Sequence, residues 1–191
     1  MYDAAVDPYC YPDTTILINK LNLRDQKQLD AFEAEITMQR ASEPFPNGRL
    51  SYPHYCAIHR HIFQDVYAWA GKIRTVRISK DGSMFCYPEH IDGQMRKLFG
   101  ELRKDNYFRR QSAGEFSRKA SHFLTELNAI HPSREGNGRS QLALLTLLAE
   151  RAEYPLSLNK LDPNEMLTAM VTSFSGKEAR LQKLIEMMVL G

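Results

Sequence analysis

Apolar side chains recur every three or four residues along most of the chain, which is the spacing of an amphipathic α-helix. The first such run lies at about 24–40 and ends at a stretch with two prolines and a glycine at 44–48. The inner faces of the predicted helices are Leu29, Phe32 and Ile36; Tyr55, Ile58 and Ile62; Ile91, Met95, Leu98 and Leu102; Phe116, Ala120, Phe123, Leu124 and Leu127; and Leu142, Leu145 and Leu148. The pattern predicts an all-α fold.

Residues with capping side chains mark where several of these helices begin. Ser51 is followed by a proline that fits the first helical turn. Ser112 and Glu115 have the spacing of a capping box, and Asp162 again precedes a proline. A last helix is expected at 177–190.

The periodicity changes at about 73–87, where β-branched residues stand before an Asp-Gly pair at 81–82. Asp-Gly is a strong turn signal, so we expect a short isolated β-hairpin. A lone hairpin is marginally stable in water and must pack against helices. It either connects two helices or offers an open edge to an extended peptide, and alternation suggests Ile78, Met84 and Phe85 as contacts of that edge.

Length and composition are those of one ordinary globular domain. The chain has 191 residues, of which 43% are hydrophobic and 25% charged, which excludes a disordered or fibrous class. A formal net charge of +2 predicts no basic face for nucleic acid. The longest apolar segment, 142–149, is far shorter than the roughly 20 residues of a membrane span, so we expect no membrane anchor.

The cysteines indicate a reducing compartment. Cys10, Cys56 and Cys86 form an odd set without a C-x-x-C pair, which favours neither a disulfide framework nor a zinc site. We therefore expect a cytoplasmic protein, although export through a dedicated secretion machine would leave no signal peptide.

The stretch IHPSREGNGRS at 130–140 combines histidine, glutamate, glycines, asparagine and arginine directly after an apolar helical run. It lies between two predicted helices, so the backbone N–H groups of Gly136, Asn137 and Gly138 lack intrahelical acceptors and face the positive end of a helix dipole. Such a site favours an anion, and Arg139 can add a charged fork to the same group. The sequence therefore predicts a phosphate cradle.

Glu135 and His131 add chemistry to this cradle. A carboxylate beside phosphates repels them unless a divalent cation lies between, and Mg²⁺ takes one or two carboxylates plus phosphate oxygens. Glu135 is thus the candidate Mg²⁺ ligand. His131 is close enough in sequence to accept a proton from an incoming hydroxyl, which suggests a transferase that uses a magnesium nucleotide.

Each residue also has a purely structural explanation. A histidine before proline at a helix end commonly caps the helix or packs against it, and Gly-Asn-Gly alone is a common turn. Glu135 alone is a favourable charge near a helix start, and Arg139 alone is a surface residue. Their combination at fixed offsets favours the functional interpretation.

The segment from His131 to Leu142 resembles the Fic signature, H-x-F-x-(D/E)-G-N-G-R-x-x-R. DPYCYP near the start, FQDVYAWAGKIR at 63–74 and ELNAIHP before the motif resemble the single-domain bacterial Fic toxins. The resemblance covers most of the chain. It implies an all-α Fic-fold helical bundle with a short β-hairpin flap. The expected parts of this single Fic domain, 1–191, are an N-terminal arm at 1–22, the flap at about 73–87 and the motif at 131–142.

The resemblance further implies a protein adenylyltransferase, a nucleotidyltransferase that moves AMP from ATP to a hydroxyl side chain of a target protein. The implied site residues are His131 as catalytic base; Glu135 as Mg²⁺ ligand; Gly136, Asn137, Gly138 and Arg139 as nucleotide contacts; and Ile78, Met84 and Phe85 on the flap, which would align the target by strand addition. In relatives of this type, type II topoisomerase subunits are targets. The implied partner is a small antitoxin protein.

Ser133 departs from the family pattern, because it stands where the family has a phenylalanine that anchors the catalytic loop. Loss of a buried aromatic side chain costs roughly 3 to 5 kcal/mol when the site cannot collapse. We therefore expect a looser loop and a less well placed His131. The substitution Ser133→Phe is expected to raise activity.

Leu142 departs as well, because it replaces the second motif arginine, which in the family contacts the γ-phosphate and pairs with an inhibitory glutamate. That glutamate belongs to an [S/T]-x-x-x-E-[G/N] element, and the nearest match, from Thr146 to Glu150, is followed by Arg151. We therefore expect restraint by a separate antitoxin, without the usual ion pair.

Three functions remain open on the residues. The first is a protein adenylyltransferase that acts as the toxin of a toxin-antitoxin pair. The second is a nucleotide- or partner-binding module with little catalysis, for which Ser133 and Leu142 argue. The third is phosphate transfer as in the related Doc proteins, against which Gly136 and Gly138 argue, because the Doc motif carries bulkier side chains there.

Overall fold

A bundle of α-helices is seen in the computed structural model, which describes residues 7–80 and 83–189. The helices are α1 (Gln26–Ser42), α2 (Tyr52–Phe63), α3 (Pro88–Lys104), α4 (Ala113–Ile130), α5 (Asn137–Arg151), α6 (Pro163–Ser173) and α7 (Ala179–Val189), and the strands are β1 (Ser79–Lys80) and β2 (Ser83–Met84). Short 3-10 turns lie at Asn106–Phe108 and Leu158–Lys160. The all-α prediction is confirmed.

The predicted helix starts are found with their capping hydrogen bonds. Side-chain oxygens of Ser51, Ser112 and Asp162 each accept a backbone N–H from the first turn of the helix that follows. The carboxylate of Glu115 pairs with Arg118 at 2.7 Å, one turn further along the same helix. These starts are local features, and the sequence pattern predicted them correctly.

Helix α4 lies at the centre of the bundle and packs against α3, α5, α6 and α7. Its predicted inner face is buried in full, with Phe116, Ala120, Phe123, Leu124 and Leu127 at most 4% exposed. Helix α2 packs against α1, α3 and α5 on the other side. The loop 131–136 joins α4 to α5 and is therefore held between two buried helices.

The predicted hairpin is present but short. Its antiparallel strands pair Ser79 with Met84 and Lys80 with Ser83, while the Asp-Gly turn at 81–82 lies outside the described residues. Beyond the ends of the two strands, the backbone carbonyls of Val76 and Cys86 accept hydrogen bonds from a buried arginine side chain. The hairpin thus packs against the helical body instead of extending over the whole of 73–87.

No helix within the described ranges is both long enough and apolar enough to cross a bilayer. The predicted first helix, at about 24–40, is shifted by two residues, and the last one is shorter than 177–190, whose final residue lies outside the described part. Differences of this size are usual at helix ends, which fray.

Candidate active site

His131 ends α4 in a left-handed conformation, with φ 49° and ψ 64°. Its backbone N–H donates to the carbonyl of Leu127 at 3.0 Å, as in an αL helix cap. Its ring Nδ1 lies 3.3 Å from the carbonyl oxygen of Asn128. A carbonyl can only accept, so Nδ1 carries the proton of the neutral ring and Nε2 is its basic nitrogen.

Phe85, one of the three residues predicted to lie on the flap, contacts His131. The ring of Phe85 stacks on the imidazole of His131, with centroids 3.9 Å apart. The ring of Phe174, just after α6, makes a T-shaped contact with Phe85, with centroids 5.5 Å apart. Ile78 is half-buried and its carbonyl accepts the N–H of Phe85 at 3.4 Å, whereas Met84 is 55% exposed.

Different physical reasons explain why glycine occupies positions 136 and 138 of the motif. Gly136 precedes α5 with φ 80°, and a Cβ there would lie 2.2 Å from the ring of Phe63. The fold therefore requires Gly136. Gly138 lies in the first turn of α5 with helical neighbours, and a Cβ there would meet open space. Packing does not explain Gly138, but close approach of a ligand to the backbone would.

Asn137 uses its side chain inside the protein. It is 2% exposed, and its Oδ1 accepts the N–H of Ser133 at 2.9 Å while its Nδ2 donates to the carbonyl of Ser133 at 2.8 Å. The motif loop is therefore held at Ser133 by hydrogen bonds between its backbone and the side chain of Asn137. Because the side chain of Asn137 is engaged in this way, the residue can contribute its backbone N–H, and not its amide group, to the predicted cradle.

Arg139 lies in the first turn of α5, beside the predicted cradle, and its guanidinium contacts three other side chains. Nη2 contacts Oε1 of Glu33 at 2.5 Å, Nη1 donates to Oγ1 of Thr37 at 3.0 Å, and the group lies 4.6 Å above the ring of Phe63. The second oxygen of Glu33 accepts the hydroxyl of Tyr67, whose pKa is raised by burial and by this hydrogen bond. Helix α1 thus orients the predicted phosphate contact.

Glu135 presents a half-exposed carboxylate beside the cradle. Its Oε1 accepts the N–H of Gly136 at 2.8 Å and lies 3.8 Å from Nη2 of Arg139. Within 7–80 and 83–189, no cluster of three or more histidine, cysteine or acidic residues could hold a metal ion. A single exposed carboxylate still fits Mg²⁺, because this ion takes most of its ligands from phosphate oxygens and water.

His59 supports the motif loop, although no sequence pattern predicted this role. Its Nδ1 accepts the N–H of Gly71 at 2.9 Å, and its Nε2 lies 2.9 Å from the carbonyl oxygen of Glu135. Burial lowers the pKa of His59 to about 4. The ring is therefore neutral at physiological pH and holds the backbone at the start of the cradle.

The N-terminal arm also reaches the loop. Asp7 forms an ion pair with Arg134 at 2.8 Å, and the hydroxyl of Tyr9 accepts the N–H of Thr75 near the flap. Asp7 and Tyr9 belong to the segment DPYCYP, which carried part of the family resemblance. The resemblance therefore predicted an N-terminal arm, but it did not predict which residues Asp7 and Tyr9 contact.

Leu142, which replaces the second motif arginine, and Glu150, the glutamate of the nearest match to the inhibitory element, both have clear positions. Leu142 is half-buried and packs against the core one turn after Gly138, so it presents no charge to the cradle. Glu150 is exposed in the last turn of α5. Thirteen residues separate it from the start of that helix, or about 20 Å along the axis, which places it far from the cradle.

Comparison with known proteins agrees with this geometry. A family profile described as Fic/DOC family matches residues 49–149, more than half of the chain. The chain belongs to the Fic/DOC family. It is 49% identical over 189 residues to the probable protein adenylyltransferase y4lH of Sinorhizobium fredii, with 98% of each chain covered.

Two proteins from Bartonella species extend the comparison. The protein adenylyltransferase VbhT of Bartonella schoenbuchensis is 34% identical over 187 residues, which are 96% of this chain and 39% of VbhT. The crystal structure of BepC from Bartonella tribocorum, with bound AMPPNP, superposes with a TM-score of 0.84 at 22% identity, covering 94% of this chain and 95% of that one. The predicted Fic-fold helical bundle is thereby confirmed.

Proposed function

We propose that this Fic/DOC family member is a protein adenylyltransferase, which transfers AMP from Mg²⁺-ATP to a hydroxyl side chain of a target protein. The observation that carries the proposal is the mouth of α5. There no side chain at Gly136 caps the first-turn N–H groups, and a Cβ at Gly138 would meet no other part of the protein. Relatives that match nearly the full length of the chain are named probable protein adenylyltransferases, which supports the same reaction.

In the proposed reaction, Nε2 of His131 accepts the proton of the target hydroxyl while the hydroxyl oxygen bonds to the α-phosphorus. The bond from that phosphorus to the bridging oxygen breaks, and pyrophosphate leaves. First-turn N–H groups of α5 and the guanidinium of Arg139 stabilise the charge that develops on the phosphates. Asn128 orients the ring, because its carbonyl holds the proton on Nδ1.

Glu135 is the residue that would hold Mg²⁺, whose chemistry in such a site is to neutralise phosphate charge. Its carboxylate is 47% exposed and adjoins the cradle, as that role requires. Arg139, anchored by Glu33, balances the carboxylate from the other side of the same opening.

The proposed acceptor is an extended segment of the target that pairs with the flap. Ile78, Met84 and Phe85 are proposed to line it, since Phe85 already contacts His131 and Met84 is exposed. Type II topoisomerase subunits are proposed targets on the resemblance alone. We also propose a separate small antitoxin and a cytoplasmic location, in keeping with three unpaired cysteines.

A second candidate function is nucleotide binding with little transfer. Leu142 favours it, because the arginine expected at that position would add charge to the triphosphate site. Under this alternative the protein binds Mg²⁺-ATP at the same cradle but leaves target proteins unmodified.

The two candidates differ in what becomes labelled. The protein is incubated with Mg²⁺, a bacterial lysate and ATP labelled on either the α- or the γ-phosphate. Protein-bound label from the α-phosphate is expected. Label from the γ-phosphate would indicate phosphate transfer instead, and binding of ATP without any protein label would indicate the second candidate.

His131→Ala is expected to abolish transfer and to leave the Kd for Mg²⁺-ATP within a few-fold of wild type. The reason is that the imidazole acts on the hydroxyl, whereas the cradle lies on α5. Isothermal calorimetry measures the Kd, and the α-label assay measures transfer. Equal loss of both would show that the histidine is needed for the structure of the loop and would contradict its role as the base.

A further inference from the structure

Arg74 is buried between the flap and the catalytic loop, with 1% of its surface exposed. Its guanidinium donates to four backbone carbonyl oxygens, and burial lowers its pKa. The hydrogen bonds run from Nη1 to Val76 at 2.7 Å, from Nη2 to Cys86 at 2.6 Å and to Ile130 at 3.2 Å, and from Nε to His131 at 2.8 Å.

These four acceptors belong to two parts of the molecule that the proposed reaction must align. Val76 and Cys86 flank the hairpin on either side, and Ile130 and His131 form the end of α4 and the catalytic position. Two backbone hydrogen bonds run alongside. The N–H of Arg74 donates to Pro132 at 2.8 Å, and the N–H of Cys86 donates to Ala129 at 3.0 Å.

The chemistry of arginine explains why this residue type occupies the position. A guanidinium has five N–H donors in one rigid plane, so it can satisfy carbonyls in several directions at once. Lysine offers three donors around a single point and cannot reach the same four acceptors. An apolar side chain of similar volume would leave the buried carbonyls without partners.

The backbone of His131 also needs such support. A residue other than glycine rarely adopts a positive φ, and it does so where its surroundings determine the conformation. At His131 the N–H is held by Leu127 and the carbonyl by Arg74, one from each side. The direction of the imidazole therefore depends on the same guanidinium that holds both stems of the flap.

We infer that Arg74 is a positioning residue that sets the flap and His131 in register with each other. Alignment of a target strand on the flap then also aligns its hydroxyl with the imidazole. The catalytic consequence rests on the proposed adenylyltransferase function, whereas the coupling of the two segments is a property of the fold.

Arg74→Lys is expected to lower kcat by up to about a hundredfold, the loss that a misplacement of roughly 1 Å can cause. It is also expected to raise the lysate concentration that gives half-maximal labelling, because the flap is less well placed to align the target. The Kd for Mg²⁺-ATP should stay at the wild-type value, since the cradle on α5 makes no hydrogen bond with Arg74. General damage to the fold would weaken ATP binding as well.

The experiment compares Arg74→Lys and Arg74→Met with the control Arg40→Lys. Arg40 also uses its guanidinium as a fork, but its partner is Asp65 and it lies outside the proposed machinery. Hydrogen exchange is measured on nucleotide-free protein at the backbone N–H groups of Cys86 and His131, with Leu124 in the core as reference. Transfer and ATP binding are measured on the same preparations.

In both Arg74 variants, exchange at Cys86 and His131 is expected to accelerate together while Leu124 stays protected, and the control should match wild type. Unchanged exchange at either site, or a loss of ATP binding equal to the loss of transfer, would overturn the inference. Global loss of protection even in Arg74→Lys would show a requirement for folding alone and would overturn it too. If wild type transfers no label, the proposed function fails, and the exchange result still decides the coupling.

Discussion

At the scale of single residues, the side chain of Asn137 accepts a hydrogen bond from the N–H of Ser133 and donates one to the carbonyl of the same residue. The sequence predicted a loose loop because Ser133 replaces an aromatic anchor. The structure holds the loop at that position through the buried amide of Asn137. Whether the missing ring still lowers activity, as the expected gain for Ser133→Phe assumes, stays a prediction.

Asn137→Ala is expected to reduce the free energy of unfolding by about 2 to 4 kcal/mol, because it leaves two buried backbone groups of Ser133 without partners. Urea unfolding followed by circular dichroism measures the change. Asn137→Asp should cost at least as much, because it loses the donor to the carbonyl of Ser133 and buries a carboxylate against that carbonyl. A loss within experimental error for Asn137→Ala would mean that water replaces the amide at no cost.

At the scale of elements, the fold explains one of the two glycines at the start of α5, and a bound nucleotide would explain the other. Gly136 is required by its φ of 80° and by the ring of Phe63. Gly138 is required by neither, since its missing side chain faces open space. Replacing Gly136 is therefore expected to lower stability, whereas replacing Gly138 is expected to weaken nucleotide binding and to leave stability almost unchanged.

Gly136→Ala is expected to destabilise the protein by roughly 2 to 5 kcal/mol, because the left-handed backbone and the clash with Phe63 both oppose a Cβ. Gly138→Ala should change stability by less than about 1 kcal/mol, and in the stabilising direction, because alanine favours a helix. Thermal unfolding of the two variants without nucleotide measures this contrast.

The same Gly138→Ala variant is expected to bind Mg²⁺-ATP at least about tenfold more weakly, which corresponds to one lost charge-assisted hydrogen bond to phosphate. Calorimetry measures the Kd. Unimpaired binding by a stable Gly138→Ala protein would show that the phosphates do not approach the first turn of α5, and the proposed cradle would have to be abandoned.

At the scale of the whole molecule, the neutral side chain of His59 links α2 to the turn at Gly71 and to the motif loop by two hydrogen bonds. Its folded pKa of about 4 lies below the ordinary value of 6.5 because the ring is buried. As pH falls below about 6.5, the unfolded chain takes up a proton that the folded ring refuses. Stability from this group is therefore complete above pH 6.5 and is lost between 6.5 and 4.

The expected loss over this range is roughly 3 kcal/mol, from the difference between the two pKa values. Unfolding free energies at pH 7 and pH 4 measure it in wild type and in His59→Gln, whose side chain cannot be protonated. Other groups titrate alike in both proteins, so the difference isolates His59. An equal pH dependence in the two proteins would contradict the assignment.

The sequence by itself determined the helices, three of their starts and the order of residues in the motif, because helical spacing, caps and motif offsets relate neighbours along the chain. Only the tertiary structure decided what supports the motif: Arg74 at His131, His59 at Glu135 and Glu33 at Arg139, across 57, 76 and 106 positions. Two of these partners are backbone carbonyls, which every residue carries. No pattern of residue types can reveal such a partner, since only the packing of distant helices brings the donor to it.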